Sequence, residues 1–137
     1  MGMVHEEITL KNAGDEINAH RGIINEKEIR QATVTAVVDT GAITLVINEK
    51  LRQQLGLGIR GERQVTLADN IKHTVKKAEP VEVWWKNRSM ICDPLVVSDE
   101  GKVLLGAIPL EDMDLMVDPV HQKLVGIHGD EVVSYLY

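Results

Sequence analysis

The feature that most constrains this chain is the stretch of residues 37–42, Val-Val-Asp-Thr-Gly-Ala, in which a β-branched run leads directly into Asp39. The run that precedes it is typical of a buried strand, so Asp39 is expected at the mouth of a core, where an unpaired charge costs free energy. Thr40 can donate its hydroxyl, and Gly41 can turn the chain so that backbone N–H groups reach the carboxylate. This pattern makes Asp39 the candidate catalytic residue.

The same residues also form ordinary turns, so a strand that ends in Asp-Thr-Gly could simply reverse direction. A short motif alone gives false positives. A second segment favours the catalytic interpretation: about 65 residues after Asp39, residues 103–108 (Val-Leu-Leu-Gly-Ala-Ile) repeat an apolar run followed by a glycine. With both segments in this order, the chain resembles the retroviral-type, or retropepsin-like, aspartic proteases in cellular, bacterial form.

The resemblance implies both a fold and a set of site residues. The expected fold is mostly β: a closed antiparallel β barrel of the retroviral aspartic protease type, with one or two short helices. In viral members the tip of the flap, a hairpin that closes over the bound peptide, is rich in glycine, whereas here Asn70 must supply the left-handed turn conformation. The implied catalytic residues are Asp39, Thr40 and Gly41; the site-supporting residues are Ala42, Leu105 and Gly106; and the flap residues are Ala68, Asp69, Asn70 and Ile71.

The number of Asp-Thr-Gly motifs has a consequence for assembly. Aspartic proteolysis uses two carboxylates, one as general base on a water and the other, protonated, as donor to the scissile carbonyl. This chain contains one such motif, so the resemblance implies a homodimer in which both copies of Asp39 meet at a two-fold axis. The alternative is a binding or dimerisation module of the same fold with little or no proteolytic activity.

Hydrophobic periodicity predicts the elements around these segments. Strands are predicted over residues 7–11, 29–38 and 43–47, with a turn at residues 12–15. Asn48 is a good N-cap for a short helix that Gly56 closes, and Pro109 is expected at the first position of a second helix. A hairpin is predicted over residues 61–78, strands over residues 80–86 and 89–97, a hairpin over residues 115–126 and a terminal strand over residues 132–137. Trp84 and Trp85 should point to opposite faces, one of them into the core.

Composition narrows the function classes. The chain of 137 residues is expected to be a single domain, 1–137, and its net charge of −6 disfavours a nucleic-acid partner. The one cysteine, Cys92, lies in an apolar stretch and is expected in the core, and the five histidines lack the spacing of a metal site. No apolar run approaches the ~20 residues of a membrane span. We therefore expect a cytoplasmic protein with no metal or other cofactor and no membrane partner. A serine nucleophile is set aside because no Gly-x-Ser-x-Gly motif occurs.

Overall fold

The computed structural model describes residues 3–98 and 101–137 of the chain. Its described part is mostly β, with three short α-helices and one short 3₁₀ turn at Glu26–Glu28. The strands are β1 Val4–Asn12, β2 Gln31–Val38, β3 Val46–Asn48, β4 Ile59–Thr66, β5 Lys72–Ala78, β6 Val81–Trp85, β7 Arg88–Cys92, β8 Leu95–Val97, β9 Leu104–Leu105, β10 Leu115–Asp118 and β11 Lys123–Gly126. The helices are α1 Ala13–His20, α2 Glu49–Gln54 and α3 Ala107–Asp112.

Nine of the strands form one curled sheet in the order β4-β5-β8-β3-β9-β2-β1-β6-β7, while β10 and β11 pair as a separate hairpin. Most neighbours are antiparallel, but β2 pairs with β9 and β3 pairs with β8 in parallel. Strands β4 and β7 are the two edges, and no ladder joins them in the described residues. The sheet is therefore an open half-barrel, and the closed barrel that the sequence predicted is not observed.

The core is built mainly from Val, Leu and Ile, as a chain with few aromatic residues requires. Helix α2 contributes Leu51 and, just after its last turn, Leu55, which lie four residues apart on one face and are both buried. Trp85 is also buried and donates its indole N–H to Glu6 Oε1, whereas Trp84 points to the other face of β6 and remains half-buried. The expectation that one tryptophan enters the core is confirmed.

Several predicted helices and strands are confirmed, although some of their bounds differ. The side chain of Asn48 accepts a hydrogen bond from the Leu51 amide at 2.8 Å and begins α2, and Gly56 follows the helix with φ +66°. The hairpin predicted over residues 61–78 is β4 and β5. The strand predicted over residues 89–97 is split into β7 and β8, because Asp93 and Pro94 interrupt the ladder between them.

Other predictions were wrong. Residues 12–15 were predicted as a turn, but Asn12 is instead the N-cap of α1, where its side chain accepts from the Asp15 amide at 3.0 Å. Pro109 is the third residue of α3, because the helix already begins at Ala107. Residues 132–137 alternate like a strand but find no ladder in the described chain, so Tyr135 and its neighbours stay exposed. None of the described helices is both long and apolar enough to cross a membrane.

Candidate active site

Asp39 lies one residue beyond the end of β2. Because β2 and β9 are parallel neighbours, the segments of residues 37–42 and 103–108 lie side by side at this end of the sheet. Strand β2 pairs with β9 in register Val37 to Leu104. The backbone N–H of Val37 donates to the Val103 carbonyl at 2.8 Å, and that of Asp39 donates to the Leu105 carbonyl at 3.0 Å. These two hydrogen bonds fix the direction in which the chain leaves the sheet, and Asp39 is left partly exposed at the end of β2.

The turn that follows holds the Asp39 carboxylate from its own backbone. The Gly41 amide donates to Asp39 Oδ1 at 2.9 Å, and the Ala42 amide donates to the Asp39 carbonyl at 3.1 Å. A Cβ on Gly41 would lie only 3.2 Å from the same Oδ1, so the glycine permits this close approach. No donor of residues 3–98 or 101–137 reaches Oδ2, and the side chain of Thr40 is exposed. One carboxylate oxygen is thus held by the turn, while the other accepts no hydrogen bond from the described residues.

Gly106 packs directly behind the turn. A Cβ at this position would lie 2.5 Å from the Ala42 carbonyl oxygen and 2.8 Å from the Thr44 nitrogen, so the two backbone segments touch where only hydrogen fits. The next two amides complete the contact: Ala107 donates to the Ala42 carbonyl at 2.8 Å and Ile108 donates to the Ile43 carbonyl at 2.9 Å. These bonds occupy the backbone of residues 42–43, which explains why the strand predicted over residues 43–47 begins only at Val46.

The structure therefore brings together six of the predicted site residues: Asp39, Thr40, Gly41, Ala42, Leu105 and Gly106. Leu105 is fully buried and its carbonyl receives the Asp39 amide. The roles assigned to these residues by resemblance stay predictions.

Sequence reasoning missed Thr44, a buried polar residue whose backbone contacts Gly106. Thr44 also lies beside Cys92. Burial raises the pKa of the Cys92 thiol to about 11, and the neighbouring Thr44 side chain opposes this only in part. A thiol with a raised pKa is a poor nucleophile, which agrees with the expectation that Cys92 belongs to the core. The sequence carried no signal for Thr44, because its contact is with a residue about 60 positions away.

The hairpin tip carries the four residues predicted for a flap: Ala68, Asp69, Asn70 and Ile71. Asn70 has φ +62°, as the turn requires, and its amide donates to the Leu67 carbonyl at 2.9 Å. Asp69 accepts from the Ile71 amide through Oδ1 at 2.9 Å, and its Oδ2 lies 2.8 Å from His73 Nε2. The Ile71 amide and, after it, His73 lower the pKa of the Asp69 carboxyl. The tip is thus braced by polar side chains instead of being built from glycine.

Away from Asp39, the described surface has depressions but no cluster of metal-binding side chains. Two surface depressions lie away from Asp39, one beside Trp84 and Trp85 and one beside Asp15 and Arg30. In residues 3–98 and 101–137, no three His, Cys, Asp or Glu side chains are arranged to hold a metal ion.

Comparison with known proteins agrees with this geometry. The family model described as "Aspartyl protease" matches residues 21–108, which include the Asp39 turn and the segment of residues 103–108 that packs behind it, and the chain belongs to this family. Among proteins with curated functions, none has a detectably similar sequence.

Solved structures give the fold. The retroviral protease-like domain of Ddi1 from Leishmania major aligns with a TM-score of 0.58 at 16% identity, over 96% of this chain and 91% of that one. EIAV protease in complex with the inhibitor HBY-793 aligns with a TM-score of 0.42 at 26% identity, over 58% of this chain and 76% of that one. A retropepsin-like aspartic protease from Rickettsia conorii aligns with a TM-score of 0.44 at 17% identity, over 86% and 89%. The retropepsin-like fold that the sequence predicted is thus confirmed.

Proposed function

We propose that this chain, as one domain of residues 1–137, is an aspartic endopeptidase that is active as a homodimer. The observation that carries the proposal is the Asp39 turn. Its carboxylate is held through Oδ1 by the Gly41 amide, its backbone is fixed by Leu105, and its other carboxylate oxygen accepts no hydrogen bond from residues 3–98 and 101–137. A turn that only reversed the chain would not need Gly106 packed against its back without room for a methyl group.

The chemistry requires a second carboxylate, which a neighbouring copy of the chain would supply. Two carboxylates about 3 Å apart do not both ionise, so the pair shares one proton. The ionised Asp39 takes a proton from a water held between them, and the protonated Asp39 donates to the oxygen of the scissile carbonyl as the water attacks. Thr40, exposed beside the carboxylate, would brace the two turns across the two-fold axis.

The β4–β5 hairpin would close over the substrate. It extends from the sheet and is joined to β8 through Lys76 and Lys77 near its base. An extended peptide beneath it would be held by backbone hydrogen bonds of the kind that add a strand to a sheet. Residues Ala68, Asp69, Asn70 and Ile71 form the tip that would lie nearest the scissile bond.

The direct test replaces the carboxylate while keeping its shape. Asp39→Asn should abolish cleavage of a broad peptide library across acidic to neutral pH, whereas its mass in solution should remain that of a dimer. A pepstatin-type inhibitor should block the wild-type protein. If wild type and Asp39→Asn treat the library alike, or if the wild type is a monomer at high concentration, the alternative of a non-proteolytic module of this fold is favoured.

A further inference from the structure

The β4–β5 hairpin has two unlike faces. Residues directly opposite each other on antiparallel strands project to the same side, and successive residues alternate. One face carries Arg63, Val65, His73, Val75 and Lys77, four of which are half-buried. The other face carries Glu62, Gln64, Thr66, Lys72, Thr74 and Lys76, all of which are exposed. We call the first the inner face and the second the outer face.

The register of the sheet places the inner face on the same side as Asp39. Lys77 is opposite Leu95 on β8, which is opposite Val46 on β3. Val46 is in turn opposite Leu104 on β9, and Leu104 is opposite Val37 on β2. Partners across a ladder share a face, and Asp39 follows Val37 by two residues. A peptide that approaches Asp39 from this side of the sheet would therefore pass along the inner face of the hairpin.

The hairpin is also basic in an acidic chain. Its residues from Ile59 to Ala78 include five Lys or Arg and two Asp or Glu, whereas the whole chain has a net charge of −6. On the inner face, His73 is engaged by Asp69 at 2.8 Å and Lys77 by Asp93 at 3.7 Å. Arg63 has no carboxylate within 4 Å among residues 3–98 and 101–137, and its side chain is exposed. Within the described part of the chain, Arg63 is thus the inner-face cation that no carboxylate engages, and it can meet an incoming acid.

We propose that Arg63 determines substrate specificity by binding an acidic side chain of the peptide, an inference that rests on the proposed endopeptidase function. The planar guanidinium presents a fork of donors that matches a carboxylate in two parallel hydrogen bonds. Arg63 precedes Leu67, the residue just before the hairpin tip, by four residues, or about 13 Å of strand. In an extended peptide that distance places the acidic residue three or four positions from the scissile bond. The preferred substrate is an extended peptide with Asp or Glu at that distance.

The test compares two peptides that differ only in Glu or Gln at this position. For the wild type, kcat/KM should be about 1.4- to five-fold higher for the Glu peptide, the range expected of an exposed ion pair, and the difference should shrink in high salt. Arg63→Gln should bring the ratio to about one, and Arg63→Glu should favour a peptide with Lys there. Lys72→Gln is the matched control, because Lys72 is an exposed cation on the outer face of the same hairpin.

The outcomes separate this inference from the proposed function. Equal rates on both peptides, or the same loss of preference in Lys72→Gln as in Arg63→Gln, would overturn the role of Arg63 while leaving the endopeptidase in place. Binding of the fluorescently labelled peptides to Asp39→Asn, with and without Arg63→Gln, measures the same preference without turnover. If the wild type cleaves nothing, the proposed function fails, and this binding measurement alone decides whether Arg63 selects acidic peptides.

Discussion

Gly106 should be the most sensitive position outside the Asp39 turn, because a single methyl group there cannot be accommodated. Its φ of −94° is open to any residue, so the reason for glycine is space and not backbone conformation. In Gly106→Ala the new Cβ would lie 2.5 Å from the Ala42 carbonyl oxygen, whereas ordinary contact begins at 3.4 Å. The atoms that must give way are backbone atoms of residues 42 and 44. The turn that carries Asp39 would therefore move by about 1 Å.

That displacement has two measurable consequences. Overpacking of this kind costs about 1–3 kcal/mol, so the urea midpoint should fall by about 1 M at fixed protein concentration. A catalytic group misplaced by about 1 Å loses on the order of 100-fold in rate, so kcat/KM for peptide cleavage should fall by roughly that factor. Both quantities should be measured on the same preparation by urea denaturation and by a fluorogenic peptide assay.

Gly61→Ala is the matched control for this experiment. Gly61 lies in strand β4, its φ is outside the left-handed region, and a Cβ there would meet no atom within 4 Å. This variant should keep a free energy of unfolding within about 0.5 kcal/mol of the wild type, as surface substitutions usually do. If Gly106→Ala matches Gly61→Ala in stability and the wild type in cleavage, then Gly106 does not hold the Asp39 turn in place and the reasoning is refuted.

Two further predictions concern carboxyl groups whose pKa is shifted. Burial, and after it the neighbouring Glu82, raise the pKa of Glu16 to about 7, so its contribution to stability is fully present below about pH 4.5 and is lost as pH rises through about 7. In Glu16→Gln, the free energy of unfolding should fall less between about pH 4.5 and 7 than it does in the wild type. Urea midpoints that vary with pH as in the wild type would contradict this prediction. The Ile71 amide lowers the pKa of Asp69, so the brace of the hairpin tip is present above the usual carboxyl pKa and is lost in acid. Asp69→Ala should speed hydrogen exchange of the Ile71 amide, while unchanged exchange would show that Asp69 does not order the tip.

The parts of the fold that the sequence predicted correctly are those that local signals encode. The Asp39 turn and the Leu105–Gly106 segment were identified because each joins an apolar run to a glycine, and α2 was identified because Asn48 and Gly56 mark its two ends. Such signals depend on the backbone needs of a few adjacent residues, so they can be read without knowledge of the fold.

The failures arise where a distant partner decides the structure. The N-cap at Asn12 is local, but the same residues also fit a turn, and a distant partner adds what the sequence lacks: Arg30 donates to Asp15 Oδ2 through both its backbone N–H and its Nε, at 3.0 and 2.9 Å. This pairing holds α1 in place, and the sequence gives no sign of it. For residues 132–137 the alternating pattern predicted a strand, but no distant partner strand is present in the described chain. A strand needs a neighbouring strand edge as well as alternation. The space that excludes a side chain at Gly106 likewise became visible only in three dimensions.

The central claim is that two copies of Asp39 act together, and mixed dimers test it most directly. Wild type and Asp39→Asn should be unfolded together at varied ratios, refolded and assayed at constant total concentration. Because a site with one carboxylate cannot share the proton, activity should follow the square of the wild-type fraction, so an equal mixture should retain about a quarter of the wild-type rate. A straight line, with about half of the rate in the equal mixture, would mean that each chain acts alone and would contradict the account.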